Sequence, residues 1–550
     1  MTDTPPPVFG EATLSNCDSE IIHTPGAIQA HGILLVLSEP DLVIRQASDN
    51  MRRHLGLGTA HMLGKELSLL VDAHAMDAVR SAMTEDLVEP AYLPPLTTTV
   101  GLRMEALIHR TEVGLILELE PLEAAPIFNL PLAFRKMLHA VHAAPSVVAA
   151  CAEAARQLRE ITGFDRVMVY RFLEDDTGTV IAEDRRKDLP PFLGMHYPAS
   201  DIPAPARKLF ILKPLRVLVG IDNANAALVP VLNPTTAAPL DMSLCVLRAP
   251  SPIHVEYLRN MGVSASMSLS ILRDGRLWGM IACHHDSDRR VSHAHRVACE
   301  ALGDLLTVQI EAKELQDNLA ETVRLHAWSV QALSHLGLGG ALFDTLKGMG
   351  SWLMHFVPTI GVAVHVDGHT ATFGQVPDEA TLKILIDFLQ TRTVEGVLAT
   401  HKLDGYLESA PSPICGLLAV PVSREPGDVL MWFRPEIEQT FVWAGDPSKP
   451  VSIGPSGARL TPRGSFEAWI ETVRGQSEPW SVTEMEAARA FGLALVKRPR
   501  SNTSTAPQPL ATDAVEQRIT DAIILSQDAG EALRQVIKTF DLLSERLGGQ

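Results

Sequence analysis

The sequence predicts an α/β (α+β) chain of three tandem modules strung along a long helix. Three observations predict it. Short runs alternating apolar and polar residues, as half-buried strands do, are interleaved with segments whose apolar residues recur at helical spacing. That mixture occurs three times, over residues 23–125, 133–312 and 337–496. Val297–Leu336 keeps a helical repeat with no proline in it, and a chain of 550 residues suits about three or four domains.

Composition excludes several classes. With 46% apolar and 20% charged residues the chain is globular. A net charge of −18 argues against a general nucleic-acid binder, which carries a basic face. No apolar run is long enough to span a bilayer, and the start, Met1-Thr-Asp-Thr-Pro-Pro-Pro, lacks the cationic and apolar parts of a signal peptide. The six cysteines are scattered without a C-x-x-C pair, so neither a metal site nor a disulfide framework is indicated. A reduced, cytoplasmic setting is expected.

In order along the chain, residues 1–22 form a Pro-rich and then polar arm that carries Cys17 in Ser-Asn-Cys-Asp-Ser. Free cysteine is commonly buried. On such an arm it is either an incidental thiol or a tethered nucleophile, because a thiolate adds to a carbon electrophile. In the first module Gly32–Leu37 and Leu42–Ala47 read as strands around the turn Ser38–Asp41. Helical pieces follow near Met51–Leu55 and Ala73–Met83, and Val100–Arg110 with Val113–Leu119 read as a hairpin. In the second, Leu132–Ile161 is helical and divided at Pro145. Arg166–Phe172, Ser266–Ile271 and Leu277–Cys283 are strands. Gly220–Arg248 is a long segment of low periodicity, and loops of that length tend to be functional.

Val297–Leu336 has Leu302, Leu305, Leu306, Ile310, Leu315 and Leu319 near helical spacing. At about 40 residues it would reach roughly 60 Å, the length of a strut and a candidate dimer seam. Within the third module Trp432–Pro479 is rich in Trp, Pro and Gly and reads as a two-stranded excursion. Lys497–Thr512 has linker composition, and residues 513–550 hold an amphipathic helical segment.

One stretch carries the chemistry. Pro198-Ala-Ser-Asp-Ile-Pro203 sets the carboxylate Asp201 between two prolines, which predicts a stiff extended loop. Alone it reads as a surface turn. With Tyr170, Arg216, Arg248, His254, Tyr257 and His284 it offers a carboxylate, cations, phenols and imidazoles, a set suited to a flat, charged, nitrogen-rich ligand.

The order Cys17 … His23-Thr-Pro-Gly-Ala-Ile-Gln29 … Pro198–Pro203 … Ser251-Pro-Ile-His-Val-Glu-Tyr-Leu-Arg-Asn-Met-Gly262 … Ala282-Cys-His-His285 … Pro462-Arg-Gly-Ser-Phe466 resembles the bacterial phytochromes over about residues 12–496. The resemblance implies three tandem PAS/GAF-like domains with central antiparallel sheets: PAS (23–125), GAF (133–312) and PHY (313–496), with a tongue hairpin at about 432–480. It implies a red/far-red photoreceptor that binds biliverdin, a linear tetrapyrrole, through a thioether at Cys17. Plant and cyanobacterial relatives attach their bilin through a cysteine just before the pocket histidine, a position that is Ile253 here.

By the same resemblance Asp201 and His254 surround the pyrrole nitrogens. Arg216, Arg248, Ser266 and Ser268 hold the propionates, and Tyr170, Tyr197, Tyr257 and His284 line the D ring. Arg463 is the tongue arginine that pairs with Asp201, in a tongue that also carries Trp443, Pro462, Ser465 and Phe466. A lasso at about 221–251 receives the N-terminal arm. Light is expected to turn the D ring, Asp201 to exchange partners with Arg463, and the refolding tongue to strain the long helix.

The chemistry of these residue types agrees. A protonated bilin is a cation that a carboxylate stabilises, and a propionate asks for the donor fork that arginine supplies.

Phe210 and Met195 depart from the family pattern, which has tyrosine and a polar residue at those positions. No phospho-histidine helix or ATP lid follows residue 496, so no kinase and no enzyme activity is expected in this chain. Signalling through a homodimer to an unidentified downstream protein is the expectation. Two alternatives stand beside it: the photosensory part of a histidine kinase cut before its catalytic domain, and a GAF/PAS small-ligand sensor without bilin.

Overall fold

The computed structural model describes residues 20–122, 130–336, 341–390, 396–403, 413–447 and 465–497. Cys17, Pro462, Arg463, residues 498–512 and the segment 513–550 lie outside the described residues. The chain divides into two compact units, residues 1–311 with 442–469, and residues 312–441 with 470–550.

The first unit holds two sheets. Its strands in chain order are β1 (Ala27–Gln29), β2 (Ile33–Leu37), β3 (Ile44–Ser48), β4 (Ala91–Thr97), β5 (Arg103–Thr111), β6 (Gly114–Pro121), β7 (Arg166–Phe172), β8 (Gly178–Arg185), β9 (Met195–Tyr197), β10 (Leu215–Leu218), β11 (Asn225–Val229), β12 (Ala265–Arg273) and β13 (Arg276–His285). One sheet runs β1-β11-β3-β2-β6-β5-β4 among the described residues. Every residue of β2 is buried, because both faces of this sheet are covered. Ile33, Leu35 and Leu37 face the helices Met51–Leu55 and Ala73–Ala82, whereas Leu34 and Val36 face Leu240, Met242, Cys245 and Leu247 of the long segment. Period-two alternation sends successive side chains to opposite faces, so the run Ile-Leu-Leu-Val-Leu serves two cores at once.

The long segment is not structureless as its composition suggested. Asn225–Ala227 pair with Ala27–Gln29, and Leu228 and Val229 pair with Ser48 and Ala47. On its other edge the arm bonds to the same segment's far end: Gln29 N–H donates to the Leu247 carbonyl (2.7 Å) and Ala249 N–H to the Ala27 carbonyl (3.1 Å). Residues 27–29 therefore have β11 on one side and an isolated bridge, Ile28 to Arg248, on the other.

The second sheet begins β10-β12-β13-β7-β8-β9. Helices Leu130–Ala143 and Val147–Thr162 replace the single run of the sequence, broken around Pro145 as expected. Ser146 caps the second of them by accepting from Ala149 N–H. The long helix spans His293–Leu336 without interruption, 44 residues. Gly303 lets it approach the sheet: a Cβ there would meet a Leu269 methyl at 2.7 Å.

The second unit is a helix–sheet–helix sandwich. Its strands are β14 (Gly361–Val366), β15 (His369–Gly374), β16 (Leu398–Thr400), β17 (Ile414–Pro421) and β18 (Val429–Pro435), in the order β15-β14-β18-β17-β16. One face packs on Leu382, Leu385, Ile386 and Leu389 of helix Glu379–Gln390. The other packs on Leu325, Trp328 and Ala332 of the long helix and on Phe491 and Leu495 of helix Val482–Val496.

Three expectations are corrected here. Trp432 does not begin the excursion: it is fully buried in β18 and its Nε1 donates to the Leu353 carbonyl at 3.0 Å. Trp480 likewise belongs to the core, stacked under the Arg434 guanidinium at 3.8 Å. The excursion is narrower, with strands β19 (Gln439–Ala444) and β20 (Ala468–Val473). The second correction is β4, overlooked because Pro94 and Pro95 interrupt it; it is an edge strand, where a missing N–H is tolerated. The third is the Pro198–Pro203 stretch. It is not extended throughout: Ala199–Asp201 make a single 3-10 turn, closed by Asp201 N–H donating to the Pro198 carbonyl at 3.0 Å.

Candidate functional site

Antiparallel register puts the chemistry on one face of the second sheet. Arg216 stands opposite Ser268, Ser268 opposite Ala282, Ser266 opposite His284, and Met280 opposite Tyr170. Directly paired residues share a face. The strand β12 shows it in its burial: Ala265, Met267 and Leu269 are buried against the helices, while Ser266 and Ser268 keep some accessible surface on the opposite face.

The Pro198–Pro203 turn supplies the carboxylate. Pro203 caps helix Ala204–Leu212, and Asp201 sits two residues before it. The Tyr257 hydroxyl, on helix Pro252–Asn260, donates to Asp201 Oδ2 at 3.0 Å. Tyr170 and Tyr197 are buried and meet edge to face, with ring centroids 5.8 Å apart. Gly178 makes room for the Tyr170 ring: a Cβ there would lie 2.0 Å from Tyr170 Cζ, so no side chain fits.

His254 has accessible surface, yet the chain around it is as dense as around an interior residue. A side chain with both properties lines a concavity. Burial, then the charge of Arg216, pushes its pKa down to about 4. Burial, then Arg166 and His254, pushes that of His284 down to about 3. Both imidazoles are neutral at pH 7. His284 Nδ1 is buried and has no hydrogen-bond partner among the described residues, an uncommon condition for an interior nitrogen and one that a ligand relieves.

Arg216 and Arg248 form the cationic end. Arg216 donates to the Val246 carbonyl (2.9 Å) and to the Arg248 carbonyl, and Arg248 donates to the Met242 (3.3 Å) and Ser243 (3.1 Å) carbonyls. Burial and the neighbouring Arg248 charge hold the Arg216 pKa well below the usual range. Two enclosed guanidiniums side by side call for an anion.

The excursion reaches the same face. Val442 and Trp443 pair in parallel with Met195 and His196, Trp443 lies 5.8 Å from the His196 ring, and Phe466 meets Tyr257 edge to face at 5.1 Å. Phe466 also packs with Phe210 and Met195 around Tyr170. Ser465 is exposed and accepts from Glu467 N–H at 3.3 Å.

Three family models match the chain in sequence: PAS fold over residues 17–122, GAF domain over 146–312 and Phytochrome region over 328–503. Cyanobacterial phytochrome B of Nostoc sp. is 36% identical over 500 residues, which cover 88% of this chain and 66% of that protein, just under two thirds. The bacteriophytochrome of Pseudomonas aeruginosa is 33% identical over 539 residues, covering 97% of this chain and 72% of that one.

The chain belongs to the phytochrome family.

The crystal structure of a bacteriophytochrome from the photosynthetic bacterium R. palustris aligns with a TM-score of 0.78 at 38% identity, covering 88% of this chain and 99% of that one. The Stigmatella aurantiaca phytochrome photosensory core module aligns with a TM-score of 0.76, also at 38% identity, and 98% of it is covered. As a phytochrome photosensory module, PAS then GAF then PHY, the chain is a receptor for red and far-red light. No helix among its described residues is long and apolar enough to cross a membrane.

The site of this phytochrome contains two residues the sequence did not single out. Gln29 Nε2 donates to the Val217 carbonyl (2.9 Å) while its Oε1 accepts from Val219 N–H (3.1 Å), tying the arm to the sheet. Glu118, buried in β6, accepts from the Val246 and Leu247 amides of the lasso at 3.0 and 2.6 Å. The available signal was a carboxylate flanked by apolar strand residues, Leu117-Glu-Leu119.

Proposed function

We propose that this receptor uses biliverdin, held in the concavity on the open face of the GAF sheet and bound covalently through Cys17. The carrying observation is the enclosed Arg216–Arg248 pair beside the neutral His254: two cations that share the single carboxylate of Glu118, on the same sheet face as the neutral His284 and the phenols. That polarity matches a flat tetrapyrrole with two propionates. When bound, the pigment supplies light absorption and a rotatable terminal ring.

The chain's own residues do the rest. Arg216 and Arg248 take carboxylates, with Ser266 and Ser268 adding hydroxyls from the facing strand. Asp201 sets an anionic charge near the pyrrole nitrogens and His254 a neutral imidazole. Tyr170, Tyr197, Tyr257 and His284 enclose the rotating ring, and His284 Nδ1 is available to bond it. Asp201, now held by Tyr257, exchanges partners with Arg463, and the excursion carrying Trp443, Pro462, Ser465 and Phe466 responds. The protein signals without catalysis of its own, as a cytoplasmic homodimer, to a downstream partner.

The test is to co-express the chain with haem oxygenase and record absorption before and after red light. A coloured protein with reversible red and far-red bands is expected. A colourless one means that the pocket takes another ligand.

A further inference from the structure

The peptide groups from Cys245 to Arg248 are gripped from two sides. From the GAF sheet, Arg216 holds the carbonyls of Val246 and Arg248. From the PAS sheet, Glu118 holds the amides of Val246 and Leu247 with one carboxylate oxygen each. The register explains the reach. Glu118 pairs with Leu34 on one side and Leu107 on the other, on the face that packs against the lasso. The residue is 2% exposed.

A carboxylate is costly in such a place, and two backbone amides alone do not require a full charge. The surroundings give the charge a use. Glu118 acts electrostatically on Arg216 and on Arg248, and Lys213 acts on it. The other titratable groups facing it are Glu120 and the Cys245 thiol, which stands 3.9 Å from His109 Nε2.

We infer that Glu118, in the PAS domain, is a positioning residue of the chromophore site: it fixes the peptide segment that Arg216 holds and is an internal counter-charge to Arg216. The inference rests on the bilin reading above. Glu118 touches no pigment in this scheme; it acts through Arg216. Burial raises its carboxyl pKa to about 7. Once protonated, the carboxyl loses its charge and its hydroxyl oxygen becomes a much poorer acceptor for an amide, so the grip loosens as pH falls through that value.

The full chain loaded with biliverdin tests it. Absorption is recorded from about pH 5.5 to 8.5, which brackets the raised carboxyl value. E118Q should shift or broaden the red band and lose an inflection near pH 7 that wild type and E118D retain. In an Arg216→Ala background E118Q should add nothing, since the route runs through Arg216. An unchanged spectrum and pH profile in E118Q, or an additive effect in the double variant, overturns the inference.

Should E118Q not fold, hydrogen exchange on wild type decides. Protection of the Val246 and Leu247 amides, corrected for intrinsic rates, should weaken below pH 7 by up to about tenfold per pH unit, the limit for one linked proton. Protection that does not vary with pH overturns it. If wild type takes up no biliverdin, the reading of the site fails, and the exchange measurement on the unloaded chain still tests the Glu118 grip.

Discussion

The Tyr257 hydroxyl donates a hydrogen bond to Asp201 Oδ2 at 3.0 Å, and the same Tyr257 ring meets Phe466 of the excursion edge to face. One side chain thus touches both the acidic loop and the element expected to refold. Removing only the hydroxyl separates the two roles. Y257F should leave the ring contact intact and cost about 1.5 kcal/mol from the lost bond to a charged acceptor. Chemical unfolding of the unloaded protein measures the cost. In the loaded protein the thermal reversion rate should change, and an unchanged rate would show that this bond plays no part in the photocycle.

Cys17 is proposed to carry the pigment. C17S should still bind biliverdin without a covalent link, so zinc-induced fluorescence should vanish from a denaturing gel. Fluorescence that persists in C17S would place the attachment elsewhere.

Gly178 lies against the Tyr170 ring with no room for a methyl. G178A should displace the ring and destabilise the protein by about 1–3 kcal/mol, as overpacking does. Thermal melting of the unloaded chain should fall by a few degrees, and the loaded chain should show an altered red band because Tyr170 has moved.

His254 and His284 have lowered pKa values in the folded chain, about 4 and about 3. Between those values and the ordinary imidazole value near 6.5 the unfolded chain binds the extra protons. Stability of the unloaded protein should therefore be fully present above about pH 6.5 and decline as pH falls toward 4. Urea midpoints across that range should show a shallower decline in H284Q than in wild type.

The Arg434–Glu484 pair is almost fully buried, at 2.5 Å, and Arg434 also donates to the Pro358 (3.1 Å) and Pro479 (2.8 Å) carbonyls. E484Q leaves that guanidinium without its counter-ion and should cost about 3–5 kcal/mol. Denaturant unfolding followed by the fluorescence of Trp432 and Trp480 measures it; a loss under about 1 kcal/mol would show that the carbonyls alone satisfy the arginine.

Much of this was legible in the sequence, and the exceptions have physical causes. Arg166–Phe172 was readable as a strand because it is rich in β-branched and aromatic residues, Val167, Val169, Tyr170 and Phe172, although its first five residues are all buried. The long helix was readable because nothing interrupts its repeat. The Ala91–Thr97 strand was hidden by Pro94 and Pro95, whose penalty falls away at a sheet edge. Trp432 looked like part of an excursion because aromatic residues beside proline and glycine resemble a loop, yet its indole fills the interior of the second unit. The site residues were legible as a set, through motif order. Their geometry was not: only the register of β12 and β13 brings Ser266 opposite His284. Glu118 escaped notice because its partners are backbone amides, which have no signature in side-chain identity.

The lasso has a consequence for how the chain is made. Gln29 bonds to Val217 and Val246 across sequence separations of 188 and 217 residues. Residues 27–29 are synthesised first, and their partners on both sides only about 200 residues later. Contacts so distant carry a large loop-closure cost and form slowly. Residues 27–29 are therefore fully hydrogen-bonded only after both distant segments, 225–227 and 247–249, have been made and brought to them.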